Sequence, residues 1–520
     1  MGLELEEKGE LILIRKIQYK IESTRYFGLF LFNLFVCILF LGTFVFNEHL
    51  SVDDYALYYQ QKQAALTDIK QNLRMVSGGG YYLLDALGIN IVSQQMVFGS
   101  ILIITFAWVI TRITFEIINM MEIQKDLEKI LFIDGITMIL FLNASVSEYL
   151  YYAGVYAQWI VGILGFTYGA ICISKDKRVL LNGLIATLAL VITVGSYQTF
   201  LAQYIYVAMT LIYIRNHGEI SKKFIVEVGR AIMAAIAAMA INILGCKILI
   251  FNGIIDEGSR ADFNWLKIPQ LVKDIIFSQR SIWIEGMGLY QKGSMAVILF
   301  FILGILFWIL YRKKTGICGF AFVAGILASG FCVMYMAQIM QGYIRVTNRG
   351  MYAVYGIYTS GLWLISYYLF ENNWKLVRRF GFCMISAFLV YSSVKINDVA
   401  INVMKTNALS RCYIEEIIRR IENYEKQNDR ITKIGFCRDA SVSYRYYDFI
   451  ETMAYGDMCA NPFLAEWSDI NSIRYYTGRD FERVDVPDQV QELCAGINWD
   501  EADWDNQLFF DNDAVFICLY

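Results

Sequence analysis

The stretch FGLFLFNLFVCILFLGTFVF, residues 27–46, with the NEHLSVDDYALYY that follows it, residues 47–59, decides the fold. The first part carries no charge and is long enough, as a helix, to cross a hydrocarbon core of about 30 Å. The second part is its polar exit. Two adjacent carboxylates, Asp53 and Asp54, stand a few residues past the apolar run, with Glu48 and His49 just before them and Tyr55, Tyr58 and Tyr59 after. Residues 1–26, ahead of the run, hold Arg15, Lys16, Lys20 and Arg25. The positive-inside rule therefore puts the N-terminus in the cytoplasm and the acid pair on the outer face. The run is of full spanning length and is expected to stay as an anchor rather than be cleaved.

The rest of the chain repeats this chemistry. Of its 520 residues, 57% are hydrophobic, against about 45–50% in soluble proteins, and only 3 are proline. Aromatic residues make up 15%, as expected of a chain with two interfacial belts. The net charge of −3 gives no nucleic-acid footprint. The 11 cysteines are scattered with no C-x-x-C pair, so neither a metal site nor a cofactor is read from them. The expected fold is mainly α, a polytopic transmembrane helical bundle of about eleven spans.

The spans are expected near residues 27–46, 94–118, 130–142, 151–173, 179–195, 197–214, 224–250, 295–310, 317–340, 351–370 and 380–396. The long outer loops are then 47–93, 252–293 and 341–350. Residues 55–76 place Tyr55, Tyr58, Tyr59, Leu66, Ile69, Leu73 and Val76 on one helical face and read as an amphipathic helix on the outer leaflet. Ser77-Gly78-Gly79-Gly80 is expected to end it as a hinge. A second interfacial helix is expected in the 252–293 loop. Asp134 lies inside an apolar run, which calls for a partner, and Arg112 of a neighbouring span is the candidate. Arg112 also stands i,i+4 to Glu116. An odd number of spans puts the C-terminus outside.

Residues 397–520 are different material, polar, with acids outnumbering bases about two to one. A long amphipathic helix near 403–427, then strand-like runs at Ile431–Cys437 and Ala514–Tyr520, predict a small extracytoplasmic α/β domain. Some of its cysteines are free to pair, in a connectivity that spacing does not fix. The organisation is thus a basic lead at 1–26, a membrane body at 27–396 and an outer domain at 397–520.

Four constellations have chemistry to offer. Asp53 and Asp54 at a water–lipid boundary suit a general base. Arg345 and Arg349, with Tyr343 and Asn348, run against the positive-inside bias and suit phosphate. Asn143, Glu148 and Tyr151 at the outer end of the third span, and Tyr197 and Gln198 at a hairpin tip, suit a sugar; helix capping and interhelical hydrogen bonding are the competing roles for both groups.

These residues give the chain a family likeness. Ser51-Val52-Asp53-Asp54, Asn143-Ala-Ser-Val-Ser-Glu148-Tyr149-Leu-Tyr151, Gly195-Ser-Tyr-Gln-Thr-Phe200 and Arg349-Gly350-Met351 resemble the type II Gtr glucosyltransferases of bacterial surface-polysaccharide modification. Tyr446-Tyr447-Asp448 and Cys459-Ala-Asn-Pro-Phe-Leu-Ala-Glu-Trp-Ser468 add to the resemblance. The segment Asn72-Leu73-Arg74-Met75 matches that family's Gly-Arg-Trp-like stretch only loosely, and Arg74 receives no role. The resemblance implies a GT-C type enzyme of the bacterial cytoplasmic membrane. Its donor would be a polyprenyl-phosphate-linked sugar, typically glucose, and its acceptor a surface glycan or the lipid-linked precursor. A small flippase and a polyprenyl-phosphate glucosyltransferase would act upstream. It further implies Asp53 or Asp54 as base, inversion at the anomeric carbon, and Arg349 with Arg345 at the leaving phosphate. A flippase or transporter of lipid-linked glycans, which would favour inverted repeats, and a glycan polymerase or ligase are the alternatives.

Overall fold

The computed structural model describes residues 2–121, 126–253, 265–312, 316–371, 374–438, 458, 461–495 and 504–519. The helices are α1 (Gly2–Val45), α2 (Val52–Asn72), α3 (Met75–Ala86), α4 (Gln95–Met120), α5 (Leu127–Phe141), α6 (Val146–Tyr151), α7 (Tyr156–Ile173), α8 (Val179–Ser196), α9 (Phe200–Arg215) and α10 (Lys222–Phe251). They continue as α11 (Ile268–Gln279), α12 (Ser294–Arg312), α13 (Gly316–Gln341), α14 (Ala353–Glu371), α15 (Lys375–Glu425), α16 (Asp469–Thr477), α17 (Asp488–Ala495) and α18 (Trp504–Gln507). Four strands, β1 (Lys433–Arg438), β2 (Glu482–Arg483), β3 (Leu508–Asp511) and β4 (Ala514–Leu519), complete the described chain.

Seven of the described helices are long and apolar enough to cross a membrane. Their outward faces are apolar too: Leu180 of α8, Val297 and Phe300 of α12 and Leu376 of α15 all lie open. Such a surface is stable only against lipid or another apolar partner. The centre is occupied by α5, α9 and α14, which are buried almost throughout and carry large aromatic side chains such as Trp363, Tyr206 and Tyr213.

Three expectations change in the fold. First, α2 ends at Leu73, which takes the left-handed conformation at φ 52°, so the hinge falls at Leu73-Arg74 and not at the glycines. Gly78, Gly79 and Gly80 lie inside α3. A Cβ on Gly78 would sit 2.6 Å from the Ala65 carbonyl oxygen and 2.4 Å from Ile69, so glycine there permits two helices to touch. Second, Arg112 pairs with Glu116, and Asp134 Oδ1 instead accepts from Asn33 Nδ2 at 3.1 Å and Thr114 Oγ1 at 2.9 Å. Neutral donors on α1 and α4 thus solvate the buried acid. Third, the expected boundary at residues 396 and 397 falls inside α15, a single helix of 51 residues. The sequence turns polar there but contains no proline between 375 and 425 to stop the helix.

The terminal domain is α/β. The sheet order is β2-β1-β4-β3; β1 runs parallel to β2 and β4, and β3 antiparallel to β4. Ile414, Ile417 and Ile421 of α15 share one buried core with Ile434 of β1 and Val515 and Ile517 of β4. The same helix therefore leaves the bundle and forms the domain's wall. Both strand-like runs are strands, and α11 is the helix expected in the 252–293 loop. Asp256, Glu257, Arg260 and Asp262 of that loop, and Tyr446-Tyr447-Asp448 and Cys459, lie outside the described residues. The cysteines are not as scattered in space as in sequence: Cys494 and Cys518 form a disulfide, and Cys437, in register with Cys518 on the neighbouring strand, brings three sulfurs within 4.8 Å of one another.

Candidate functional site

The short helix α6 and the turn after it, residues 143–155, form the hub of the site. They follow a break in α5 at Leu142 and are almost wholly buried. Buried backbone outside a long helix needs partners from elsewhere, and those partners are what the segment organises. His49 Nε2 meets the Leu150 carbonyl at 2.8 Å, Tyr156 donates to the same oxygen at 2.7 Å, and Tyr81 donates to the Gly154 carbonyl at 3.0 Å.

The two neighbouring carboxylates are separated by this hub. Ser51 caps α2 and Asp54 is its reciprocal partner, a capping box. Asp54 Oδ2 accepts from the Ser51 backbone N–H at 2.9 Å and the Ser51 hydroxyl at 2.7 Å. Its Oδ1 accepts from the Gly154 N–H at 2.8 Å. Asp54 is 1% exposed. Burial pushes its carboxyl up to about 6, while the bonds from Ser51 and Gly154 pull the other way. A Cβ on Gly154 would meet Leu57 at 2.2 Å and Asp54 Oδ1 at 2.8 Å, so the packing closes over this acid. Asp53, one residue earlier, is exposed, and its Oδ1 accepts from the Trp467 indole N–H at 3.0 Å.

The arginine side is built by the same segment. The Arg349 backbone N–H donates to Glu148 Oε2 at 2.8 Å, and its carbonyl accepts from the Tyr149 hydroxyl at 2.7 Å. Its guanidinium lies 4.3 Å above the Tyr152 ring, with Nη1 3.4 Å from Glu148 Oε1. Tyr152 and Gly154 are two residues apart, at most about 7 Å of chain, so the group holding Arg349 and the group holding Asp54 are nearly adjacent. Arg345 is exposed; its backbone N–H donates to Gln338 Oε1 at 2.8 Å.

The expected sugar contacts have other partners. Asn143 is fully buried and its Nδ2 donates to the carbonyls of Ile139 and Leu140, closing the end of α5. Tyr151 is 1% exposed and packs edge-on against Tyr152. Glu148 is fully buried beneath Arg349. Neither Asn143, Glu148 nor Tyr151 offers a surface to a ligand in this arrangement. Tyr197 and Gln198 are half-buried and engage Arg74. The Arg74 guanidinium lies 4.4 Å over the Tyr197 ring, and its Nε donates to Gln198 Oε1 at 3.0 Å. Gln198 Nε2 closes the hinge on the Asn72 carbonyl at 2.7 Å.

Sequence reasoning left three contributors without a role. Arg74 needed the fold, because Tyr197 lies far along the chain. Trp467 reaches Asp53 from the terminal domain and gave no local signal. The third was legible: Ser51-x-x-Asp54 at the head of a helix is a capping-box spacing, which assigns Asp54 a structural duty.

In this site an exposed carboxylate at the first turn of α2 stands beside a buried twin, and two arginines laid on tyrosine rings flank the hub that holds that twin. Against known proteins, no family model, no curated protein and no solved structure matches this chain.

Proposed function

We propose that this chain is an integral-membrane glycosyltransferase of the kind its motifs resemble, moving a sugar, typically glucose, from a polyprenyl phosphate to a surface glycan or its lipid-linked precursor. The observation that carries the reading is the hub at residues 152–154, which anchors a guanidinium on Tyr152 and the acid-bearing turn on Gly154. A glycosyl transfer from a lipid phosphate needs a base near an anion-stabilising cation, at the level where the head group stands.

In this reading Asp53 is the base. A base must reach the hydroxyl it deprotonates; Asp53 is exposed, whereas Asp54 is enclosed by three hydrogen bonds. The acceptor oxygen attacks the anomeric carbon as its proton passes to Asp53. The bond from that carbon to the phosphate oxygen breaks, its electron pair leaves with the polyprenyl phosphate, and the configuration inverts. Arg349, fixed before the reaction by Glu148, Tyr149 and Tyr152, neutralises the charge growing on the phosphate.

The membrane topology belongs to the same proposal. Each of the eleven apolar stretches read as a span is covered by a helix among α1, α4, α5, α7–α10 and α12–α15. With the N-terminus cytoplasmic, the α2 end of the bundle and the terminal domain lie outside in the cytoplasmic membrane of a bacterium. The Cys494–Cys518 disulfide supports that side, where thiols oxidise and stay oxidised.

The test is transfer from purified polyprenyl-phosphate-glucose to surface glycan in membranes, comparing wild type with Asp53→Asn and Asp54→Asn. Transfer that Asp53→Asn abolishes at unchanged protein level is expected. No transfer by wild type from this donor removes the donor assignment, and full activity in Asp53→Asn removes the base.

A further inference from the structure

The terminal domain meets the membrane body directly over Asp53. Trp467 and Tyr475 come from the domain, the first just before α16 and the second within it. Glu48, Asp53, Tyr58 and Tyr59 come from the start and first turns of α2 and the residues ahead of it. The Tyr475 hydroxyl donates to Glu48 Oε1, and the Trp467 indole N–H donates to Asp53 Oδ1 at 3.0 Å. The Tyr58 and Tyr475 rings meet edge to face at 5.1 Å, and Tyr58 and Tyr59 at 4.9 Å. Two exposed carboxylates thus lie among four aromatic rings drawn from two parts of the molecule.

The indole is the unusual member. Trp467 is 57% exposed, and no other ring is packed against it among the described residues. A large apolar ring left open to water forgoes the free energy its burial would release. Here the ring is also held in one orientation by its N–H. A rigid, open aromatic face beside carboxylates matches a pyranose. The C–H face of the sugar stacks on the ring, and the outward hydroxyls donate to carboxylate oxygens in charge-assisted hydrogen bonds. Prior fixing of the ring spares the entropy of ordering it on binding. Interfacial tryptophans also anchor membrane proteins in the head-group layer, but here the indole N–H is already bonded to Asp53, which leaves the ring face as the free contact, and a neutral polyol fits that face better.

We propose that the seam between α2 and α16 is a glycan-binding subsite, with a neutral hexose ring stacked on Trp467 and its hydroxyls presented to Asp53 and Glu48. Resting on the glycosyltransferase reading above, this subsite receives the acceptor, and the terminal domain is the part of the chain that selects it. The fold places the binding ring and the base in contact, so an acceptor ring seated on Trp467 brings its hydroxyl to the carboxylate that deprotonates it.

The test is equilibrium binding, without any donor, of neutral polysaccharide fragments released from the cells that make the protein. The full-length protein is held in nanodiscs. Wild type, Trp467→Ala and Trp467→Phe are compared, with Tyr82→Ala, an exposed aromatic on α3 whose ring faces Lys62, as control. Affinity should fall at least tenfold in Trp467→Ala and return to within a few-fold of wild type in Trp467→Phe, which restores an aromatic face and serves as the check on folding. Tyr82→Ala should bind as wild type. Absence of fragment binding to wild type, or equal affinity in wild type and Trp467→Ala, overturns the subsite. Because no donor is present, the two readings fail separately. Fragments that bind through Trp467 while no sugar is transferred leave the subsite standing without the enzyme. Transfer with an acceptor KM that Trp467→Ala leaves unchanged sustains the enzyme and removes the subsite.

Discussion

The acid pair and the arginine pair answer the same question in opposite ways. Each pair has one member built into the protein and one left at the surface. Asp54 is sealed by Ser51 and Gly154, and Asp53 is exposed beside Trp467. Arg349 is clamped by Glu148, Tyr149 and Tyr152, and Arg345 is exposed. In the acid pair the open member suits the chemistry, because a base must meet the proton it takes. In the arginine pair the clamped member suits it, because charge stabilisation gains most from a dipole or cation already in position. Accessibility and preorganisation are separate requirements, and the hub at residues 143–155 supplies one to each side.

The sharpest way to break this comparison is at the acids. Asp53→Asn should lower transfer by about 10²–10⁴-fold, the usual range for a general base, with an unchanged thermal unfolding midpoint. If Asp54→Asn does this and Asp53→Asn does not, the assignment inverts. At the arginines, Arg349→Ala should cost about 10²–10³-fold in kcat. Arg349→Lys should recover little, since a lysine keeps the charge but not the planar stack on Tyr152. Arg345→Ala should stay within about threefold, comparable to other surface substitutions. Equal losses at both positions would mean that the clamp does not select Arg349.

Stability should show the reverse ranking. Asp54→Ala leaves the Ser51 and Gly154 N–H groups buried without acceptors, at about 1–3 kcal/mol each, and removes a capping box. Denaturant unfolding in micelles should show this loss, with Asp53→Ala close to wild type. Gly154→Ala should cost about 1–3 kcal/mol through overpacking against Leu57, read as a lower unfolding midpoint.

The acid pair also carries a pH dependence, through Asp54. Its folded carboxyl, pushed by burial up to about 6, holds its proton to higher pH than the unfolded chain, where it titrates near about 4. Between these values the unfolded state is the one that has lost the proton. Stability therefore falls as pH rises through that window, at no more than about 1.4 kcal/mol per unit, and levels above it. The stability difference between wild type and Asp54→Asn, measured from pH 4 to pH 7, should move towards the asparagine variant up to about pH 6 and then hold. A flat difference would mean that Asp54 titrates alike in the folded and the unfolded chain.

Much of this was legible before the fold. The apolar runs, the exit after Phe46, the change of material after residue 396 and the two strand-like segments follow from composition and periodicity, because lipid demands apolar side chains and internally bonded backbone whatever the tertiary contacts. The capping spacing Ser51-x-x-Asp54 is also local. The partners of the polar residues were not legible. Asp134 looked to Arg112 because charge suggested it, yet Asn33 and Thr114 reach it first. Asn143 looked like a ligand because it is polar at a helix end, yet it closes its own helix. The glycines at 78–80 looked like a hinge, yet the helix crossing needed Gly78.

The sequence by itself thus determined that this protein is helical, apolar enough for a membrane, and ends in a small α/β unit, since those properties depend on near neighbours in the chain and on solvent. Only the tertiary structure decided which of two adjacent acids is open, which of two nearby arginines is clamped, and that Trp467 stands on Asp53. Those outcomes depend on side chains up to 414 residues apart in sequence, whose meeting is fixed by how the helices pack and by nothing written beside them in the chain.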